Sequence, residues 1–134
     1  KFGIVTGGKE AWSRNSSKEN VALGGHVNSS AFEPLDKVKG DVARIVLYVY
    51  THYNTYANVH GTTNGKQSGV FGTLQFTNIM APSSESAAIQ LLIEWNAMDP
   101  VDQIEITRND EVYKIQGNRN PFIDHPEYVN AIWG

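Results

Sequence analysis

The 134-residue chain has no cysteine, which excludes a disulfide framework, a thiolate metal cluster and a thiol nucleophile. It also has no long hydrophobic run. The longest apolar stretch, Ile45–Tyr50, is six residues, against the ~20 needed for a helix to cross a bilayer, so no membrane partner is expected. A dominant charge of one sign is missing too: 11 Lys and Arg face 14 Asp and Glu, for a net charge of -3. That excludes attachment to nucleic acid by bulk positive charge. Internal repeats, linkers and low-complexity runs are absent.

What is present suits a folded protein. Hydrophobic residues make up 40% of the chain, with three Trp, six Tyr and five Phe, which argues against disorder. The length is near the mode for one folding unit, so residues 1–134 are expected to form a single domain. Lys1 is neither an initiator methionine nor part of a charged-then-apolar signal segment, which suggests a processed or trimmed chain. Lack of cysteine suits both a reducing cytoplasm and bacterial secretion.

Charge is unevenly spread. Residues 1–44 carry seven bases and five acids, whereas residues 45–134 carry four bases and nine acids. Contact with a polyanion is therefore expected on the N-terminal third or at individual C-terminal arginines. Residues 1–38, rich in Gly, Ser and Asn, read as loops with one or two short strands, using Phe2–Val5 and Val21–Leu23. From Lys39-Gly40-Asp41, helical spacing begins: Val42, Ile45, Val46, Val49 and Tyr53 form one face. Leu47, Tyr48 and Tyr50 make that helix apolar nearly all round, and hence central, with Asp41, Arg44 and Thr51 left on its polar side.

Residues 54–82 read as a long connection that contains one possible strand, Gly69–Phe76. Ser83 or Ser84 can cap a second helix whose apolar face is Ala87, Ala88, Leu91, Leu92 and Trp95. Asp99-Pro100 reads as the cap and first residue of a third helix, which Gly117 stops. Asn120-Pro121 breaks the chain, and Pro126–Trp133 fits a last short helix. The expected fold class is α+β, helix-rich with three to four helices and a small β component.

The third helix carries an anomaly. Val101, Ile104, Val112 and Ile115 define an apolar stripe at about 100° per residue, and Arg108 falls at its centre. A guanidinium aimed at a core must find acceptors. Either Glu105 or Glu111, one turn away on each side, pairs with it, or the stripe faces a cleft and Arg108 offers its fork to a phosphate. The amide-rich corner Gln116–Phe122 that follows can be turn chemistry alone.

Other chemical patterns fail. His26, His52, His60 and His125 show no metal-ligand spacing, and His52, placed near the end of the first helix, fits a structural role. Asp124-His125-Pro126-Glu127 reads as a turn and helix start. Gly61–Ser68 misses the phosphate-binding loop pattern, with glycines too close and Gln67 where Ser or Thr belongs. No serine sits in a GxSxG elbow. Asn15-Ser16-Ser17 and Asn28-Ser29-Ser30 match glycosylation sequons, a pattern common by chance.

Several blocks are more specific: Leu91–Asn96, then Asp99-Pro100-Val101-Asp102, then Arg108–Glu127, which includes Gln116-Gly117-Asn118-Arg119-Asn120-Pro121-Phe122. With Phe32-Glu33-Pro34 and Lys39–Arg44 ahead of them, they resemble the bacterial endonuclease I family in family order, over residues 30–134. The resemblance implies part of a secreted or periplasmic, metal-dependent endonuclease, hydrolysing DNA, RNA or both with little sequence preference. It also implies a ββα-metal (His-Me) finger, in which a histidine activates water and one Mg²⁺ or Ca²⁺ stabilises the leaving oxygen.

The family's finger lies upstream of its Phe-Glu-Pro block and carries its histidine in a Glu/His-His-x-x-Pro setting. Here His26 is the only histidine ahead of that block, and Val27-Asn28-Ser29 does not match. The resemblance therefore transfers no catalytic base and no metal ligand. The chain is expected to be inactive alone and to partner with a missing N-terminal half. Arg44, Arg108, Asn118, Arg119 and Asn120 match family positions as supporting or cleft residues that bind nucleic acid. The alternatives are a non-catalytic nucleic-acid-binding or docking module, and an extracellular structural domain.

Overall fold

A computed structural model describes residues 1–14, 20–59, 62–63, 66–67 and 75–134, with side chains described for residues 1–10, 24–52 and 75–134. The fold is helix-rich α+β, as expected. Three antiparallel strands come first: β1 (Lys9–Arg14), β2 (Asn20–Val27) and β3 (Phe32–Glu33), in the order β1-β2-β3. The pairing of β1 with β2 shifts register between Glu10 and Trp12. Phe2–Val5 is not a strand. Instead Phe2 bridges to both Phe32 and Met80, with its N–H donating to Ile79 O (2.9 Å).

Helix α1 (Lys39–Val59) follows a 3-10 turn at Asp36–Val38. It continues through Asn54 and Thr55, so the expected connection shortens and His52 lies well inside the helix. A two-residue hairpin, β4 (Thr62–Thr63) and β5 (Lys66–Gln67), precedes α2 (Phe76–Ile79). The proposed strand Gly69–Phe76 lies outside the described residues except at its end, where Phe76 is helical. The sequon at Asn15 and the histidine at residue 60 also lie outside them.

Helix α3 (Glu85–Met98) starts where Ser84 Oγ accepts from Ala87 N. Helix α4 (Gln103–Gln116) is capped by Asp102, whose carboxylate accepts from Glu105 N at 2.9 Å. The cap is thus Asp102 and not Asp99. Asp99 closes α3 and turns its carboxylate to Gly40 N, 2.9 Å away. Gly117 ends α4 with φ of 75°, the left-handed conformation glycine adopts most readily. Two short helices finish the chain, α5 (Pro121–Asp124) and α6 (Tyr128–Trp133). No helix among the described residues is long and apolar enough to cross a membrane.

The core joins Ala43, Val46 and Leu47 of α1 to Ala88, Leu92 and Trp95 of α3, closed by Phe76, Met80, Phe122 and Val129. The expected α1 face is shifted: Ile45 is exposed, while Ala43 and Arg44 are fully buried. The Tyr53 side chain lies outside the described residues. Sheet and helices are tied by Lys39, whose Nζ bonds Glu33 Oε1 at 2.8 Å and lies 5.7 Å from the Trp95 ring centroid. Burial pushes the Glu33 carboxyl up, but bonds from Lys39 and Val5 N win and hold it below the usual range.

A candidate nucleic-acid interface on helices α1 and α4

The Lys-Gly-Asp-Val-Ala-Arg block brings α1 against the start of α4. A Cβ on Gly40 would collide with the Asp99 carbonyl oxygen, so glycine permits this approach. The approach buries Arg44 completely. Its fork meets Glu105, with Nε to Oε1 at 3.0 Å and Nη2 against Oε2. Nη1 donates to Asn96 Oδ1 (3.0 Å) and to the Asp99 carbonyl (2.9 Å). Arg44, placed on the polar side of α1 in the sequence reading, is therefore an internal cation with its acceptors inside the protein. Two buried charges persist only when paired and hydrogen-bonded in this way.

Asn120 is also interior. Its Nδ2 donates to the Arg44 carbonyl (3.0 Å), and its Oδ1 caps α5 by accepting from Phe122 N (3.0 Å). Asn109 Oδ1 in turn accepts from Asn120 N (2.9 Å), while its Nδ2 donates to Asn120 O and Asp124 Oδ1. Asn120-Pro121 thus starts a helix at the break, with proline where no N–H is needed.

Helix α4 is inverted relative to its expected stripe. Glu105 and Asn109 are its buried residues, whereas Ile104 is 73% exposed and Ile115 85% exposed. The apolar stripe faces outward because the acceptors for Arg44 and Asn120 occupy the inner side. Arg108, on the outer side, pairs with neither Glu105 nor Glu111. Its half-exposed fork makes one described bond, Nη2 to Asp41 Oδ2 at 3.3 Å. Burial pushes the Asp41 carboxyl above its usual range, and the neighbouring Glu105 charge adds to this; Arg108 offsets only part.

Arg108 stands beside a groove of about 220 Å³ between α1 and α4. Ile45, Tyr48, Val112 and Ile123 supply its apolar lining, and Arg108, Asn109, Asn118 and Asn120 the polar one. Asn118 Nδ2 donates to the Tyr48 hydroxyl at 2.6 Å, and the Tyr48 ring stacks with His52. Arg119 points elsewhere. It clamps Asp124 with two bonds (2.8 and 2.7 Å), reaches Asp110 at 2.6 Å, and lies over Tyr113. Of the five expected contact residues, the structure places Arg108, Asn118 and the buried Asn120 on one groove, with Arg119 nearby in sequence but half-buried and bound to two carboxylates. Arg44 lies behind the groove and bonds to it through its carbonyl, which accepts from Asn120 Nδ2.

The sequence pattern did not single out Tyr48, Ile45 or Asn109 for this site, and it offered Glu105 only as a partner for Arg108. The spacing of Glu105 and Asn109, one turn apart on α4, was the available signal of a polar inner seam. Among the described residues, no three His, Asp or Glu side chains converge on one point that could hold a metal ion.

The fold and this corner belong to a known class of nuclease. The Endonuclease I family model matches residues 1–127, so the match starts ahead of the motif blocks and takes in the sheet, and the chain belongs to that family. Among its relatives is the extracellular ribonuclease of Bacillus subtilis (strain 168), 39% identical over 113 residues, 84% of this chain and 36% of that protein. The extracellular ribonuclease of Bacillus amyloliquefaciens is 35% identical over 127 residues, 94% of this chain and 40% of that protein. The chain thus spans no more than two-fifths of these relatives. No solved structure matches significantly.

Proposed function

We propose that this chain cradles the substrate in a secreted, metal-dependent endonuclease that hydrolyses phosphodiester bonds of RNA, DNA or both with little sequence preference. The observation that carries this reading is the half-exposed Arg108 fork beside the α1–α4 groove, in a chain of the Endonuclease I family. Two features suit Arg108 to a phosphate. Its bond to Asp41 is long, and Asp41 ionises less readily than an ordinary aspartate, so a phosphate dianion or diester competes well for the fork. Contact through phosphate carries no base information, consistent with weak sequence preference. Secretion is supported by the names of both relatives.

In this reading Arg44, Glu105, Asn109 and Asn120 hold the groove's walls, and Asn118 orients the Tyr48 hydroxyl at its rim. The general base and the Mg²⁺ or Ca²⁺ implied by the resemblance are supplied from outside the described residues. The resemblance transfers no catalytic base and no metal ligand to this chain, so in this reading it binds without cutting and behaves in isolation as a non-catalytic binding module.

Labelled RNA and duplex DNA incubated with the pure chain and Mg²⁺ or Ca²⁺, with and without EDTA, test both halves. Expected are salt-sensitive binding that survives EDTA and no cleavage. Arg108→Ala should weaken binding about tenfold, the loss of one charge-assisted contact, and flatten the log–log salt dependence by about 0.7 for a single strand. Chelator-sensitive cleavage by the pure chain would show that the reacting groups lie within it. Failure to retain either nucleic acid at low salt would remove the interface.

A further inference from the structure

We infer that the outer face of α4 pairs with the same face of a second copy of this chain, antiparallel and about a two-fold axis. This goes beyond the proposed nuclease role and does not depend on it. Ile104, Arg108, Glu111 and Ile115 recur at helical spacing and share an arc of roughly 60°. All four project away from the buried seam of Glu105 and Asn109, and the two isoleucines at the ends are among the most exposed large apolar side chains described. Exposed isoleucines at both ends of one face leave apolar surface that association would remove from water.

The order along this face selects the occupant. It reads apolar, cation, anion, apolar. An antiparallel copy centred between Asn109 and Asp110 sets Ile104 opposite the second copy's Ile115, each about 8 Å along the axis from the centre. It also sets Arg108 opposite the second copy's Glu111, about 2 Å from the centre, and repeats both pairings by symmetry. A parallel copy in register would stack Arg108 on Arg108 and Glu111 on Glu111.

The present partners of the charges do not prevent this. Glu111 bonds Lys114 at 2.6 Å with both side chains exposed, and Arg108 bonds Asp41 at 3.3 Å. Exposed pairs of this kind are worth about 0–1 kcal/mol and exchange readily. A contact centred on one helix per copy falls at the small end of specific interfaces, so the association is weak and concentration-dependent. Because Arg108 serves both surfaces, nucleic acid and a second copy compete for it.

Sedimentation equilibrium of the whole chain, without nucleic acid, from roughly ten micromolar to one millimolar, is the test. The mass should rise from monomer towards twice that value and stop there. Arg108→Glu alone or Glu111→Arg alone should weaken association roughly tenfold, by setting like charges opposite each other. The two together should restore it to within about threefold of the original. Ile115→Asp, at a site 85% exposed, should abolish association while leaving the thermal melt and Arg108 intact. Its retention of RNA separates this inference from the nuclease reading, since RNA binding and self-association then fail independently. A chain that stays monomeric throughout, grows beyond a dimer, or is not rescued by the double reversal would overturn the pairing.

Discussion

Arg44 and Arg108 belong to helices α1 and α4, and both approach Asp41, at 3.7 and 3.3 Å. Their surroundings are opposite. Arg44 is fully buried, with Glu105, Asn96 and the Asp99 carbonyl taking its donors. Arg108 has an exposed fork, one long described bond, and a groove beside it. Helical periodicity had placed them the other way round, with Arg44 on the polar side of its helix and Arg108 at the centre of an apolar stripe. The difference teaches that the acceptors across the contact decide which side of α4 turns inward. A paired guanidinium can displace isoleucine from a core position, because leaving it unpaired there costs more than leaving Ile104 and Ile115 in water.

The sharpest way to break the comparison is to remove one half of the inner pair. Arg44→Ala or Glu105→Ala strands a buried charge, and each should cost about 3–5 kcal/mol in denaturant unfolding. Arg44→Lys should also destabilise, since an ammonium cannot span two carboxylate oxygens and two carbonyls at once. Arg108→Ala should leave the same unfolding curve within about 0.5 kcal/mol. Equal losses at the two arginines would abolish the distinction between inner and outer cation.

The second prediction sharpens it at the amide corner. Asn109→Ala leaves the buried Asn120 N–H without its acceptor and takes one of three donors from Asp124, for a loss of about 2 kcal/mol. Asn118, exposed and bonded only to the Tyr48 hydroxyl among the described contacts, should tolerate Ala with little change in stability. If the two asparagines proved equivalent, the corner would be ordinary turn chemistry throughout.

Local chemistry in the sequence carried over well. The Ser84 cap, the Gly117 stop and most of the expected α3 face stand as implied, with Ala88, Leu92 and Trp95 buried and Leu91 half-buried, while Ala87 is exposed; each depends on neighbours within a turn or two. Long-range partners were not legible. Asp99-Pro100 has the form of a helix start, yet Asp99 is committed to Gly40, 59 positions away, and the cap falls to Asp102. Glu105 was one of two candidate partners for an inward-facing Arg108, and its actual partner Arg44 is 61 positions distant. Asn120 appeared as a chain breaker beside proline, whereas its two side-chain bonds make it the joint between α1 and α5. The candidate site was visible as a set of residue types. Which of them face outward was settled by packing that no local pattern encodes.

The smallest expected effect concerns two aspartates on either side of this corner. The bond from Arg119 holds Asp124 below the ordinary aspartate value of 3.8, against the opposing pull of burial, with the Arg119 charge and Asn109 assisting. A carboxyl lowered on folding contributes stability that is present above its unfolded value and lost as pH falls through the folded one. Asp41 has the reverse sign. Burial and Glu105 raise it, so its contribution is lost as pH rises from the ordinary value through the raised one. Asp124→Asn should therefore melt below the parent protein at pH 6, and the gap should narrow as pH falls below the ordinary aspartate value of 3.8. Asp41→Asn should show the opposite trend, gaining on the parent as pH rises from 4 to 6, because burial and Glu105 penalise the ionised Asp41 more than Arg108 rewards it. Parallel melting curves for parent and Asp124→Asn across that range would mean that the Arg119 clamp is a surface contact without consequence for folding, and that Arg119 is as free to meet a phosphate as Arg108.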